Sequence, residues 1–131
     1  MKDCLFCQIV AGKIPAYEVY RDRQCLAFLD IRPLNPGHLL VVPKKHDEYL
    51  FDLDDTAYGE IFKITKRLAG PLKEATEAVR IGLVVEGFGI DHLHLHLVPI
   101  YEINQLDPNR AYTASVEELT KMRKKIKAKI K

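Results

Sequence analysis

His92-Leu93-His94-Leu95-His96-Leu97-Val98-Pro99 alternates imidazole with aliphatic side chain and places three of the chain's five histidines within five residues. In an extended strand successive side chains point to opposite faces, so the three imidazoles share one face and the three leucines the other. Neighbouring rings on that face start roughly 6.6 Å apart, twice the strand rise. The leucine face needs cover, and the segment best suited to supply it is a long amphipathic helix. The histidine face needs a ligand, a metal or polar partners, because three clustered imidazoles on a half-buried sheet otherwise lose hydration and gain little packing.

Working outward, the stripe Leu53, Ala57, Ile61, Ile64, Leu68, Leu72, Ala75 and Val79 recurs every three or four residues and predicts that helix. Asp54 or Asp55 is a suitable cap. Gly70-Pro71 is expected to kink the helix or divide it in two, because proline removes a backbone donor. Strands are expected over Tyr17–Tyr20, Cys25–Leu29, His38–Val42, Ile81–Val85 and Leu93–Ile100. A short helix is expected over Cys4–Val10 and a closing helix over Val116–Lys129. The order β-β-β-α-β-β with short links predicts an α+β fold, an antiparallel sheet with helices packed on one side.

The chain has 131 residues, of which 47% are hydrophobic, enough for one domain with a real core. No stretch approaches the roughly 20 apolar residues of a membrane span. The N-terminus carries no secretory pattern, which favours the cytoplasm. A formal net charge of +2 predicts no nucleic-acid partner. Much of the basic character sits in Lys121, Arg123, Lys124, Lys125, Lys127, Lys129 and Lys131, and the remainder is net acidic. That tail reads as a solvated helix end, with a polyanion-binding segment as the alternative.

Three cysteines include Cys4-x-x-Cys7, a spacing that points to metal or redox chemistry in a cytosolic protein sooner than to a structural disulfide. Cys25 lies in an apolar run and reads as a small buried hydrophobe. Imidazole can act as nucleophile, acid or base near neutral pH. A row of three therefore offers a nucleophile flanked by two donors, suited to attack on phosphorus. A catalytic metal site is the rival reading, with Asp91 the only nearby carboxylate to complete it.

His92-Leu93-His94-Leu95-His96-Leu97-Val98 resembles the H-φ-H-φ-H-φ-φ pattern of the histidine-triad (HIT) superfamily. The resemblance also takes in Cys4–Val10, Phe28-Leu29-Asp30-Ile31-Arg32-Pro33, Pro36-Gly37-His38 and Pro43-Lys44-Lys45-His46, in order, over about residues 3–101. It implies a five-stranded antiparallel sheet with a long helix, paired as a homodimer, within a single domain spanning 1–131. It further implies that His94 is the nucleophile of a covalent nucleotidyl-histidine intermediate and that His96 contacts the α-phosphate. Asp30 would accept the ribose hydroxyls, and Phe28, Ile31 and Leu39 would line a purine pocket. His38 resembles the family's helper histidine, with a satisfied core histidine as the alternative. Cys4, Cys7, His46 and His92 match the zinc ligands of one family branch, two thiolates and two imidazoles in a closed structural site.

The chain departs from the family pattern in Val85-Glu86-Gly87-Phe88-Gly89-Ile90-Asp91. Val85 stands near a common Asn position, and no hydroxyl or amide side chain directly precedes His92. Backbone N–H groups of the Gly87–Gly89 turn are the expected substitute on the phosphate. Glu86 and Asp91 would repel additional phosphates. The expected activity is nucleotide hydrolysis or nucleotidyl transfer on a purine phosphoramidate, dinucleoside polyphosphate or adenylyl ester. A zinc-stabilised nucleotide-binding module with little turnover is the alternative.

Overall fold

The computed structural model describes residues 3–131; residues 1 and 2, part of the expected single domain, lie outside the described residues. Five strands form one antiparallel sheet in the order β1-β2-β3-β5-β4. They are β1 (Glu18–Arg21), β2 (Cys25–Leu29), β3 (Leu39–Pro43), β4 (Arg80–Val84) and β5 (Leu95–Ile100). The helices are α1 (Leu5–Val10), α2 (Asp55–Thr76) and α3 (Val116–Lys129), with short 3₁₀ turns at Leu50–Asp52 and Pro108–Arg110.

Asp54 caps α2 by accepting the Ala57 N–H, and Ser115 caps α3 by accepting that of Glu118. The expected division at Gly70-Pro71 does not occur: α2 runs unbroken through Pro71 for 22 residues. Leu68 precedes the proline, Leu72 and Ala75 follow it, and all three are buried against the sheet. Packing on both sides outweighs the loss of one backbone bond. The helix ends at Thr76, where Glu77 adopts a left-handed conformation at φ 56°. Val79 therefore falls beyond the stripe and is half exposed.

The sheet is covered on both faces, where the sequence predicted one. On one face Leu93, Leu95 and Leu97 join Ala27, Leu29, Leu39 and Val41 beneath α2 and α3. On the other, Phe6 and Ile9 of α1 pack on Leu26, Phe28, Leu40 and Val42. The apolar run of β2 is buried at all five positions because it is sandwiched between these two clusters.

β5 begins two residues later than expected. His92, Leu93 and His94 lie ahead of the ladder, His92 at a bend, and of the three histidines only His96 is within the strand. Alternation nevertheless persists through the segment. Leu93 N donates to Asp47 O at 2.6 Å, which holds the segment in line with β5.

Candidate active site

On β3 and β5 the register pairs Leu40 with His96 and Leu39 with Leu97. Residues directly opposite share a face, so Leu40 stands on the imidazole side and Leu39 on the leucine side. Leu39, expected in the purine pocket, is fully buried in the α2 core, and Leu40 takes its place. The one-residue difference moves the side chain through the sheet.

A cavity of about 310 Å³ opens beside the histidines, lined by Phe28, Asp30, Ile31, Leu40, His94 and His96. Leu5, Phe6, Ile9 and Ile14 close it from the α1 side, while Phe88, Gly89 and Ile90 stand at the loop before His92. Phe6 contacts His94 edge-on at 5.2 Å and Phe28 at 5.5 Å. Sequence reasoning passed over Phe6. Its i,i+3 spacing with Ile9 was the available signal, an apolar stripe on a helix too short to need one for itself.

Hydrogen-bond partners settle the tautomers along the row. His94 Nδ1 lies 2.7 Å from the carbonyl oxygen of His92, so Nδ1–H donates and the neutral ring has its lone pair on Nε2. His38 Nδ1 accepts the Leu34 N–H at 3.0 Å, which places the His38 proton on Nε2. That N–H donates to His96 Nδ1 at 2.9 Å, leaving the His96 proton on Nε2. Burial pushes His38 down to about 4; burial, then His38 and His94 nearby, pushes His96 down to about 4. Both rings are neutral at pH 7, as the chain of hydrogen bonds requires.

Asp30 follows β2, where its N–H donates to His38 O at 2.9 Å and its Oδ1 accepts the Arg32 N–H at 2.8 Å. Oδ2 stands 3.7 Å from His38 Nε2. Burial holds the Asp30 carboxyl above its ordinary value. Asp30, His38 and His96 also lie close enough to share a metal. The proton on His38 Nε2 opposes that use, because a metal would have to displace it and turn the ring against Leu34 N–H.

Gly87 and Gly89 adopt φ +86° and +88°, a conformation that L side chains rarely take. Gly89 reaches the cavity, whereas Gly87 does not line it. Glu86 and Asp91 are exposed. Asp91 joins Asp3 and Glu48 around an adjoining open depression of about 500 Å³.

Cys4, Cys7, His46 and His92 converge behind the row, their ligand atoms all within 4.8 Å of one another. Cys4 Sγ is 3.4 Å from His92 Nδ1, and Cys7 Sγ is 3.2 Å from His46 Nδ1 and 3.5 Å from His92 Nδ1. The S···N edge of a zinc tetrahedron is about 3.5 Å, given Zn–S near 2.3 Å and Zn–N near 2.05 Å. His92 Nε2–H donates to Pro43 O at 2.8 Å, which turns Nδ1 toward the sulfurs. Burial, then the neighbouring Cys4, pushes the Cys7 thiol up, a cost that a cation bound at the cluster would offset. The donor set fits structural zinc.

The fold and this site define a sheet-borne histidine relay beside an apolar slot. The HIT domain family model matches residues 11–103, and the chain belongs to that family. It is 32% identical to the adenosine 5'-monophosphoramidase of Schizosaccharomyces pombe over 139 aligned positions, covering 98% of each chain. A HIT-like protein from Bartonella henselae has a similar structure, with TM-score 0.87 and 30% identity, covering 98% of this chain and 97% of that one. A zinc-bound histidine triad family protein from Mycobacterium smegmatis superposes with TM-score 0.84 at 27% identity, covering 98% of this chain and 94% of that one. No helix among the described residues is long and apolar enough to cross a membrane.

Proposed function

We propose that this protein hydrolyses or transfers nucleotidyl groups, with His94 attacking the α-phosphate of a purine nucleotide. The observation that carries the reading is the 2.7 Å bond from His94 Nδ1 to the His92 carbonyl, which leaves the Nε2 lone pair as nucleophile beside the cavity. The P–N bond forms as the bond from phosphorus to the leaving atom breaks, and the leaving group departs with that electron pair and takes up a proton. Water then cleaves the P–N bond and releases the nucleoside monophosphate. His96 presents Nε2–H to a phosphate oxygen or to the leaving atom.

The base occupies the slot between Phe28, Ile31 and Leu40, and Asp30 takes the ribose hydroxyls on its free Oδ2. Gly89, which reaches the cavity, offers its backbone N–H to the phosphate. Three carboxylates around the adjoining depression disfavour a polyphosphate leaving group and suit a small or cationic one, such as the amine of a phosphoramidate. The similarity to a monophosphoramidase supports this choice.

Structural zinc on Cys4, Cys7, His46 and His92 ties α1 to the segment before β5. That assignment gives His92 a structural task and makes a triad-bound catalytic metal unnecessary. A homodimer is supported by the exposed edge of β4, where Leu83 is 43% exposed.

The test is turnover of an adenosine phosphoramidate, a dinucleoside polyphosphate and adenylyl sulfate by the wild type and His94→Ala. Loss of turnover with retained nucleotide binding is expected. Turnover surviving in His94→Ala would overturn the mechanism; nucleotide binding without wild-type turnover would leave the binding module as the better description.

A further inference from the structure

The family match ends at residue 103, yet the segment beyond it doubles back over the loop that joins β2 to β3. Tyr112 N donates to Pro33 O at 3.2 Å and Ala114 N to Ile31 O at 3.1 Å. Arg110 forks between the two segments: Nη2 donates to Asn35 Oδ1 at 2.9 Å, and Nη1 donates to Gln105 O at 2.9 Å. Asn35 is only 7% exposed. Its Nδ2 donates to Pro99 O at 2.8 Å on β5, so its Oδ1 depends on Arg110 for a donor.

The same loop decides the state of the histidine relay. His38 N donates to Asn35 O at 3.1 Å, and one residue earlier Leu34 N donates to His38 Nδ1 at 3.0 Å. The Leu34 N–H makes His38 Nδ1 an acceptor and so sets its proton on Nε2, which the Asp30 carboxylate 3.7 Å from Nε2 also favours. If the loop relaxes, His38 can take the Nδ1–H form, which presents a lone pair to His96 Nδ1. His96 must then invert as well, and its Nε2 would present a lone pair in place of a donor.

We propose that Arg110 is a positioning residue for His96, acting through Asn35 and the Leu34 N–H to hold His38 in its Nε2–H tautomer. This rests on the reading of His94 and His96 as the reacting pair. It assigns the segment beyond the family match a part in the chemistry that the triad pattern does not contain. Arginine suits the position because its planar fork reaches both acceptors, whereas lysine offers a single point donor.

The experiment compares the wild type with Arg110→Met and Arg110→Lys at neutral pH, with folding checked by thermal melt. Imidazole ¹⁵N shifts report the His38 and His96 tautomers, and steady-state kinetics on an adenosine phosphoramidate separate kcat from KM. Arg110→Met should give mixed tautomers at both rings and a kcat lower by on the order of ten- to a hundred-fold, with KM nearly unchanged. Arg110→Lys should keep one tautomer and recover most of kcat, because the Asn35 Oδ1 donor is restored. Arg110→Met that retains a single Nε2–H tautomer and wild-type kcat would overturn the proposal, as would a KM effect alone. Mixed tautomers in a protein whose wild type turns over no nucleotide would uphold the positioning role and sink the catalytic reading instead.

Discussion

His38 Nε2 and His96 Nδ1 meet at 2.9 Å although the residues are 58 positions apart in sequence. The contact joins the loop ahead of β3 to the start of β5, and it is made between two rings that burial keeps neutral. Each ring thereby acquires a single proton position. His38→Leu should therefore leave His96 Nδ1 without its donor and lower kcat by on the order of ten-fold or more, with nucleotide affinity within a few-fold of wild type. Isothermal titration and steady-state kinetics on the same preparation check the split.

The same burial makes stability depend on pH. Unfolded histidine binds protons below about 6.5, while folded His38 and His96 resist them down to about 4. Between those values the unfolded state holds more protons, so stability falls as pH falls from about 6.5 toward 4. Asp30, raised above its ordinary value, has the opposite sign and offsets part of the loss near the acid end. Urea midpoints at pH 7, 6 and 5 should decline, and less steeply for His38→Gln. Equal slopes would show that His38 does not contribute.

Zinc at Cys4, Cys7, His46 and His92 predicts that strong chelation or Cys7→Ser lowers the melting temperature. Turnover should persist in the protein that remains folded, because no reacting atom touches the metal. Activity lost in chelator at a temperature where circular dichroism is unchanged would instead favour the catalytic-metal reading. Metal content by mass spectrometry of the purified protein gives the stoichiometry.

Leu39 and Leu40 are adjacent, equally apolar and both buried, yet they face different neighbours. Leu39→Ala should cost about 2–5 kcal/mol of stability by leaving a void under α2, with KM unchanged in the folded fraction. Leu40→Ala should raise KM for the nucleotide several-fold, because it removes a wall of the slot. Chemical denaturation paired with kinetics separates the two; matching KM values would place the base elsewhere.

Gly37 sits at φ +93°, and a Cβ added there would meet Thr76 Cγ2 at 2.8 Å. Gly37→Ala should therefore destabilise the fold and disturb His38 immediately after it, lowering kcat alongside the melting temperature. An unaltered melting temperature would show that the loop absorbs the methyl group.

Much of this molecule is legible from local pattern. Alternation at 92–98 placed the leucines in the core and the imidazoles on one face, and the stripe from Ile61 to Ala75 supplied the covering helix. Cys25–Leu29 and Val116–Lys129 fall where strand and helix were expected. The resemblance carried by five stretches added the ligand set at Cys4, Cys7, His46 and His92, and the cluster is present. These readings succeed because side-chain direction follows from a period of two or of 3.6 residues, which is a property of neighbouring residues alone.

Other features depended on contacts between distant segments. Pro71 could not be read as harmless until the sheet was seen holding both sides of α2. The resemblance put Leu39 beside the base, and only the pairing with β5 showed that Leu40 is the one on the imidazole face. The short helix at Cys4–Val10 showed no sign of which sheet face it covers, yet it supplies Phe6 to the site. Above all, a histidine's proton position depends on what each ring nitrogen meets. Here that is Leu34 N–H for His38, His38 Nε2–H for His96 and the His92 carbonyl for His94. The amino-acid order supplied the rings; tertiary structure assigned their protons, because hydrogen-bond partners are chosen by proximity in space.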